Sequence, residues 1–165
     1  MNIVTIAEKK DEKFLRRKTA PVDLASFDKK TLRALVRDMK QIMRRADGVG
    51  LSANQIGLNM RLFVAEMPAQ QGEGNKFYVI INPEIVKTSL RVVPMEEGCL
   101  SVPQMFGMVD RPDRITIAGF DANGKRIKIK AWGFLARVFQ HEIDHLNGGL
   151  FIDAAKGLHK IESSK

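Results

Sequence analysis

The sequence predicts an α+β domain: mostly antiparallel sheets packed around a central helix near the C-terminus, with an earlier helix on the outside. Three stretches carry that prediction. Leu32, Leu35, Val36, Met39, Ile42, Met43 and Ala46 recur at three- and four-residue spacing, which is one apolar face of a helix. Arg114–Phe120 and residues 126–130 alternate apolar with polar across the linker 121–125, a hairpin with one wet face. Leu135, Val138, Phe139 and Leu146 return to near-helical spacing around Gln140-His141-Glu142-Ile143-Asp144-His145, and Asn147-Gly148-Gly149 supplies the left-handed residue that ends a helix.

At 165 residues the chain reads as one domain over 1–165, with a short polar tail from about residue 154. That length buries a core without staples. The single cysteine, Cys99, excludes an internal disulfide and suits a reducing, cytoplasmic compartment. Residues 1–8 have no basic region before an apolar core and no apolar run approaches the length of a membrane span, so neither a secretory leader nor a membrane anchor is expected. The net charge is +8, and residues 1–47 hold thirteen Lys/Arg against seven Asp/Glu. A ribosome or nucleic acid would suit that excess as well as a solvated basic face does. Interspersed acids and the lack of an aromatic platform argue against specific nucleic-acid binding.

Taken in order, Pro21 and the polar stretch 26–28 lead into the first amphipathic helix, with Asp28 or Ser26 as N-cap and Gly48 as the stop. Its methionines are packing residues. Next comes Gly48-Val49-Gly50-Leu51-Ser52-Ala53-Asn54-Gln55-Ile56-Gly57. Closely spaced glycines admit a ligand to the backbone, and Gln55 can donate a hydrogen bond without competing for a cation. Alone, the pattern fits a helix cap and loop equally well. Apolar runs at 61–66 and 77–81 read as strands, the second ended by Pro83, with residues 70–75 as a polar insert between them. Met95-Glu96-Glu97-Gly98-Cys99-Leu100-Ser101-Val102-Pro103 then sets Cys99 in a bend, which favours a ligand over a buried thiol.

The chemistry centres on His141, Glu142 and His145. Residues four apart on a helix lie one above the other, so both imidazoles can converge on one cation with Glu142 beside it as general base. A lone helical histidine is usually a packing residue; two of the chain's three, at ligand spacing and with the acid in place, make that reading weak. Two imidazoles need a third protein ligand if one position is to stay open for water. The position six beyond the second histidine is Phe151, which excludes the metzincin arrangement, and the only glutamate after the motif is Glu162. The remaining candidate is Cys99.

Three motifs now stand in one order: Gly48-Val49-Gly50-Leu51-Ser52-Ala53-Asn54-Gln55, Glu97-Gly98-Cys99-Leu100-Ser101 and Gln140-His141-Glu142-Ile143-Asp144-His145. Together they closely resemble the peptide deformylases, which remove the formyl group from the N-terminal methionine of new proteins. The resemblance runs from near the N-terminus to Asp153. It implies a peptide deformylase-like fold around the H-E-x-x-H helix, with Cys99, His141 and His145 as metal ligands and Glu142 as general base. Gln55 and the backbone N–H of Leu100 would form the oxyanion hole. The peptide main chain would pair near Val49, Gly50 and Gly98, with Glu97 alongside, and the methionine side chain would enter a pocket including Val49, Phe134, Val138 and His141. One divalent ion is implied, Fe2+ in cells, with Ni2+, Co2+ or Zn2+ in purified protein. The implied partner is an N-formylmethionyl peptide or nascent chain, with transient proximity to the ribosome, no membrane and no specific nucleic acid.

Two departures from the resemblance stand out. Ser52 occupies a position where the family usually has Ala, and the tail after Asp153 is too short for the ribosome-docking helix of some bacterial members. Two other classes make different demands. A zincin-type metallopeptidase would be indifferent to Cys99→Ser, and a non-catalytic, metal-stabilised ribosome- or RNA-binding protein would need neither Glu142 nor Gln55.

Overall fold

The computed structural model describes residues 2–68 and 75–161. Helix α1 (Lys9–Leu15) and the long α2 (Lys29–Arg45) precede strands β1 (Gly50–Ser52), β2 (Leu62–Met67), β3 (Lys76–Thr88), β4 (Val92–Cys99), β5 (Val102–Pro112), β6 (Arg114–Phe120) and β7 (Arg126–Trp132). Helix α3 (Gly133–Leu146) follows, and β8 (Lys156–Lys160) closes the described chain. All strand pairs are antiparallel, in a five-stranded sheet of order β1-β2-β3-β6-β7 and a three-stranded sheet of order β4-β5-β8.

Successive side chains of a strand point to opposite faces, so a strand covered on both sides shows no polar alternation. β2 is such a strand. Leu62 and Val64 pack with Leu32, Leu35, Met39 and Met43 of α2, whereas Phe63 and Ala65 pack with Ala136, Phe139, Ile143 and Leu146 of α3. The larger sheet therefore lies between α2 on its outer face and α3 on its inner face, and a third apolar cluster with Val102, Val109, Leu150 and Phe151 underlies the smaller sheet. Each expected helix forms. Asp28 caps α2 by accepting from the Thr31 N–H at 2.8 Å, and α3 ends where Gly148 turns at φ 83.

Several boundaries differ from the sequence reading, each for a physical reason. β3 does not stop at Pro83 but runs to Thr88. Its register on β6 shifts between Ile81 and Glu84, Asn82 turns at φ 49, and the proline, with no N–H to donate, sits at that irregularity instead of in the regular ladder. At the end of α2 the left-handed residue is Asp47 (φ 53), not Gly48; Gly48 instead provides space, because a Cβ there would lie 2.8 Å from Leu100 Cδ1. Residues 95–103, read as a stretch that sets Cys99 in a bend, are the tip of the longer β4–β5 hairpin, in which Cys99 faces Val102 across the two-residue turn Leu100–Ser101. The segment read as a tail pairs with β5 as β8. Residues 70–74 of the polar insert and Glu162 lie outside the described residues.

Candidate active site

Helix α3 carries its two imidazoles on the side that meets the β4–β5 turn. The ring centroids of His141 and His145 are 4.9 Å apart, and Cys99 Sγ lies 3.1 Å from His145 Nε2. One ligand atom from each of Cys99, His141 and His145 lies within 4.8 Å of the others. A tetrahedral ion with N and S ligands holds its donor atoms about 3.5 Å apart, so the set fits one divalent cation with a corner to spare. The electrostatics agree. Burial pushes the Cys99 thiol up, but the charge of His145 and hydrogen bonds from both imidazoles outweigh it and hold the group well below the usual thiol range. Burial also opposes charge on His141, yet its contacts with Cys99 and Glu97 raise it to about 10. Thus two imidazoles stabilise one buried sulfur charge where a cation would do the same.

Glu97 sets the orientation of His141. Its Oε2 lies 3.0 Å from His141 Nδ1, leaving Nε2 to face the cysteine. The carboxylate also accepts from Arg111 Nε at 2.6 Å, Arg111 Nη2 at 2.9 Å and Arg137 Nη1 at 2.9 Å. Burial would raise the Glu97 carboxyl; these hydrogen bonds, from Arg111 first, hold it far below the ordinary carboxylate range. Arg111 reaches onward to Asp144 Oδ2 at 2.6 Å. Glu97 thus reaches the cavity wall, while its carboxylate oxygens are taken up by Arg111, Arg137 and His141.

Glu142 is buried, and its Oε2 accepts from Ser52 Oγ at 2.5 Å. Burial raises its pKa, and the charges of His141 and His145 together with the Ser52 contact moderate that rise. A carboxylate held above its usual range suits a proton acceptor near neutral pH. Gln55 Oε1 accepts from the Ser52 N–H at 2.9 Å, which turns Nε2 toward Ser101 Oγ (3.1 Å) and Cys99 Sγ (3.6 Å). The amide donor thus lies at the edge of the metal cluster.

A cavity of about 480 Å³ opens over this cluster, lined by Val49, Gly50, Gln55, Gly98, Leu100, Phe134, Val138, His141 and Glu142 among others. Every residue expected from the sequence at the site is therefore brought to one place. β1 is the terminal strand of the larger sheet and β4 of the smaller, so two strand edges face each other across the cavity. Such edges can hold an extended peptide by main-chain hydrogen bonds. Val49 and Phe134 remain 39% and 48% exposed, an apolar wall awaiting a side chain. Sequence reasoning missed Arg111, Arg137 and the Ser52 contact. Arg137 had a signal: it lies four residues before His141, on the same face of α3. Arg111 and Ser52 had none.

Residues 2–161 match the model of the polypeptide deformylase family. The peptide deformylase of Halothermothrix orenii is 49% identical over 84% of this chain and 85% of that protein. Chloroplastic peptide deformylase 1B of Solanum lycopersicum is 45% identical over 84% of this chain, which spans only 48% of that longer protein. Among solved structures, a probable peptide deformylase from Synechococcus phage S-SSM7 superposes with a TM-score of 0.84 at 40% identity, covering 93% of this chain and 99% of that one. A peptide deformylase from Synechococcus elongatus, solved in complex with actinonin, gives a TM-score of 0.84 at 34% identity over 95% of this chain and 79% of that one.

Proposed function

The chain belongs to the polypeptide deformylase family, and from that premise we propose how its residues divide the work of deformylation. The protein is a hydrolase that removes the N-terminal formyl group from formyl-methionyl polypeptides. Cys99, His141 and His145 hold one divalent cation, ferrous iron in the cell, with nickel, cobalt or zinc able to replace it. When bound, the ion supplies Lewis acidity, acidifying water and polarising the formyl carbonyl. Glu142 accepts the proton of the attacking water and returns it to the departing amine nitrogen. Gln55 Nε2 and the Leu100 N–H donate to the formyl oxygen as it gains charge, each such donor lowering the barrier by about 3 kcal/mol. The edge residues Val49, Gly50 and Gly98 pair the peptide main chain, and Phe134, Val138 and Val49 receive the methionine side chain. Transient proximity to the ribosome, from which the substrate emerges, and a cytoplasmic location belong to the same proposal.

The observation that carries this reading is the meeting of a cysteine sulfur, two imidazoles, a buried carboxylate and a side-chain amide donor in one cavity between two strand edges. Anaerobic assay of formyl-Met-Ala-Ser beside acetyl-Met-Ala-Ser, with elemental analysis of the same sample, tests it. Formate release from the first alone, at about one metal ion per chain, is expected. A sample loaded with metal that leaves the formyl peptide intact would refute it.

A further inference from the structure

Helix α2 covers only part of the outer face of the larger sheet. It packs over β1, β2 and the first half of β3, and the sheet continues past it as the rest of β3, β6 and β7. Residues paired across neighbouring strands share a face, so the register fixes what this far end presents. Lys87 pairs with Thr116 and Thr116 with Lys130; Glu84 pairs with Ala118 and Ala118 with Lys128. Arg126 stands opposite Phe120, and Trp132 opposite Arg114. The inner face of the same strands, with Ile115, Ile117 and Ala131, packs toward α3. All four outward residues of β7, Arg126, Lys128, Lys130 and Trp132, are exposed, as are Lys87 and Arg114. Alternate residues of a strand lie about 7 Å apart, so β7 alone sets three cations in line over about 14 Å and ends on an indole. Among the described residues Lys87, Arg126, Lys128 and Lys130 make no ion pair, and the one carboxylate in their rows is Glu84; Arg114 is 3.9 Å from Asp113.

A terminal strand commonly carries lysines to repel a second sheet. That accounts for Lys128 and Lys130. It does not account for Lys87, two strands further in, or for a tryptophan left 69% exposed. Charge of one sign on a rigid face with an aromatic at its end suits a polyphosphate backbone with an unstacked base beside it. A membrane surface calls for apolar side chains projecting among the cations, whereas Thr116 and Ala118 lie low between these. The face also has a direction: β7 runs into α3, and Phe134 of the cavity wall is two residues past Trp132. We propose that the open outer face of β3, β6 and β7 is a docking surface for the phosphate backbone of ribosomal RNA, bound without reading its sequence. Lys87, Arg126, Lys128 and Lys130 meet phosphates, and Trp132 stacks on a base. These cations lie outside the basic N-terminal segment, and only sheet pairing brings them to one face with the aromatic platform that the sequence lacked. The choice of ribosomal RNA rests on the deformylase reading; affinity for an RNA backbone does not.

Binding is measured without turnover, which keeps a failure of this inference apart from a failure of that reading. The probes are an RNA hairpin of about 20 base pairs, purified bacterial ribosomes and phosphatidylserine vesicles. Trp132 is the only tryptophan of the chain, so its emission reports contact at this face. The hairpin should quench it with a Kd of about 1 to 100 μM at physiological salt. Lys128→Ala with Lys130→Ala should weaken binding about tenfold or more and lower the slope of log affinity against log salt by about 2. Lys29→Ala with Lys30→Ala removes the same charge from the exposed start of α2 and should leave affinity within about threefold, since charges beyond about 10 Å are screened. Melting temperatures check that each variant is folded, and co-sedimentation with ribosomes should rank the three proteins in the same order. No quenching of Trp132, equal losses in the two variants, or binding to the vesicles but not to the hairpin would each overturn the proposal. A hairpin complex that ribosomes do not compete for would overturn the assignment to ribosomal RNA.

Discussion

Replacing Gly50 by alanine should separate folding from catalysis more cleanly than any other single change at this site. Gly50 lies in a strand with no positive φ, so alanine suits its backbone and, by restricting the unfolded chain, gains up to about 1 kcal/mol. The added Cβ would meet the Glu142 side chain, 2.8 Å from Cδ and 3.0 Å from Cγ, with Oε1 nearer still. Ordinary contact begins near 3.4 Å, so Cδ must retreat by about 0.6 Å and Oε1 by more. A flexible side chain can make that move, but the move takes the carboxylate off its line to substrate and off Ser52, and the lost buried hydrogen bond offsets the backbone gain. Misplacement by about 1 Å costs roughly a hundredfold in rate. The assay is coupled formate release from formyl-Met-Ala-Ser, with metal content and melting temperature measured on the same preparation. We expect kcat to fall about a hundredfold with both controls near wild type, and the loss to vanish in the Glu142→Ala background. Turnover within about threefold of wild type, or a loss that persists without the Glu142 side chain, would refute this reasoning.

Four further outcomes are expected. Glu142→Ala should keep its metal but lose several orders of magnitude in turnover, measured as kcat on metal-replete protein; comparable kcat would sink the base assignment. Cys99→Ser and alanine at His141 or His145 should lower the metal bound after gel filtration, read by elemental analysis, whereas a zincin-type site would be indifferent to the Cys99 change. Glu97→Gln leaves the buried guanidiniums of Arg111 and Arg137 without their anion and should cost about 3 kcal/mol in urea unfolding, with a metal affinity roughly ten- to a hundredfold weaker. Acid should expose the same network. The Glu97 carboxyl is held low in the folded state, so its contribution is complete above the unfolded value of about 4.3 and is lost as pH falls toward the folded one. Urea midpoints followed from pH 7 to pH 3 should therefore drop below about pH 4, and less steeply in Glu97→Gln.

What could be read in the sequence was local in space as well as in number. The four-residue step from His141 to His145 fixes their shared face whatever surrounds the helix, and the alternation in β7 survives because one of its faces stays wet, whereas β6 is buried through Ile115, Thr116 and Ile117 and loses it. The Cys99 bend was legible too, since a two-residue turn leaves its mark within a few positions. The polar insert and prolines around β3 to β5 gave no such help. Pro83 looks like a stop until β6 supplies a partner whose register can slip around it.

The residues that orient the site were harder to read: Arg137 shares a helix face with His141, but nothing local says what it meets, and Arg111 and Ser52 carry no local mark at all. Ser52 meets Glu142 across ninety positions of chain, and Arg137 meets Glu97 across forty. A serine after a leucine on a buried strand and an arginine on a helix have the same local signature whether they steer an active site or merely pack. The sequence by itself determined the reactive groups, their order and the helix that pairs two of them. Only the tertiary structure decided which oxygen of the base is held, which nitrogen of His141 is left free and which strand edges flank the cavity. Those choices depend on directed hydrogen bonds between distant segments, and direction exists only after the segments have been packed.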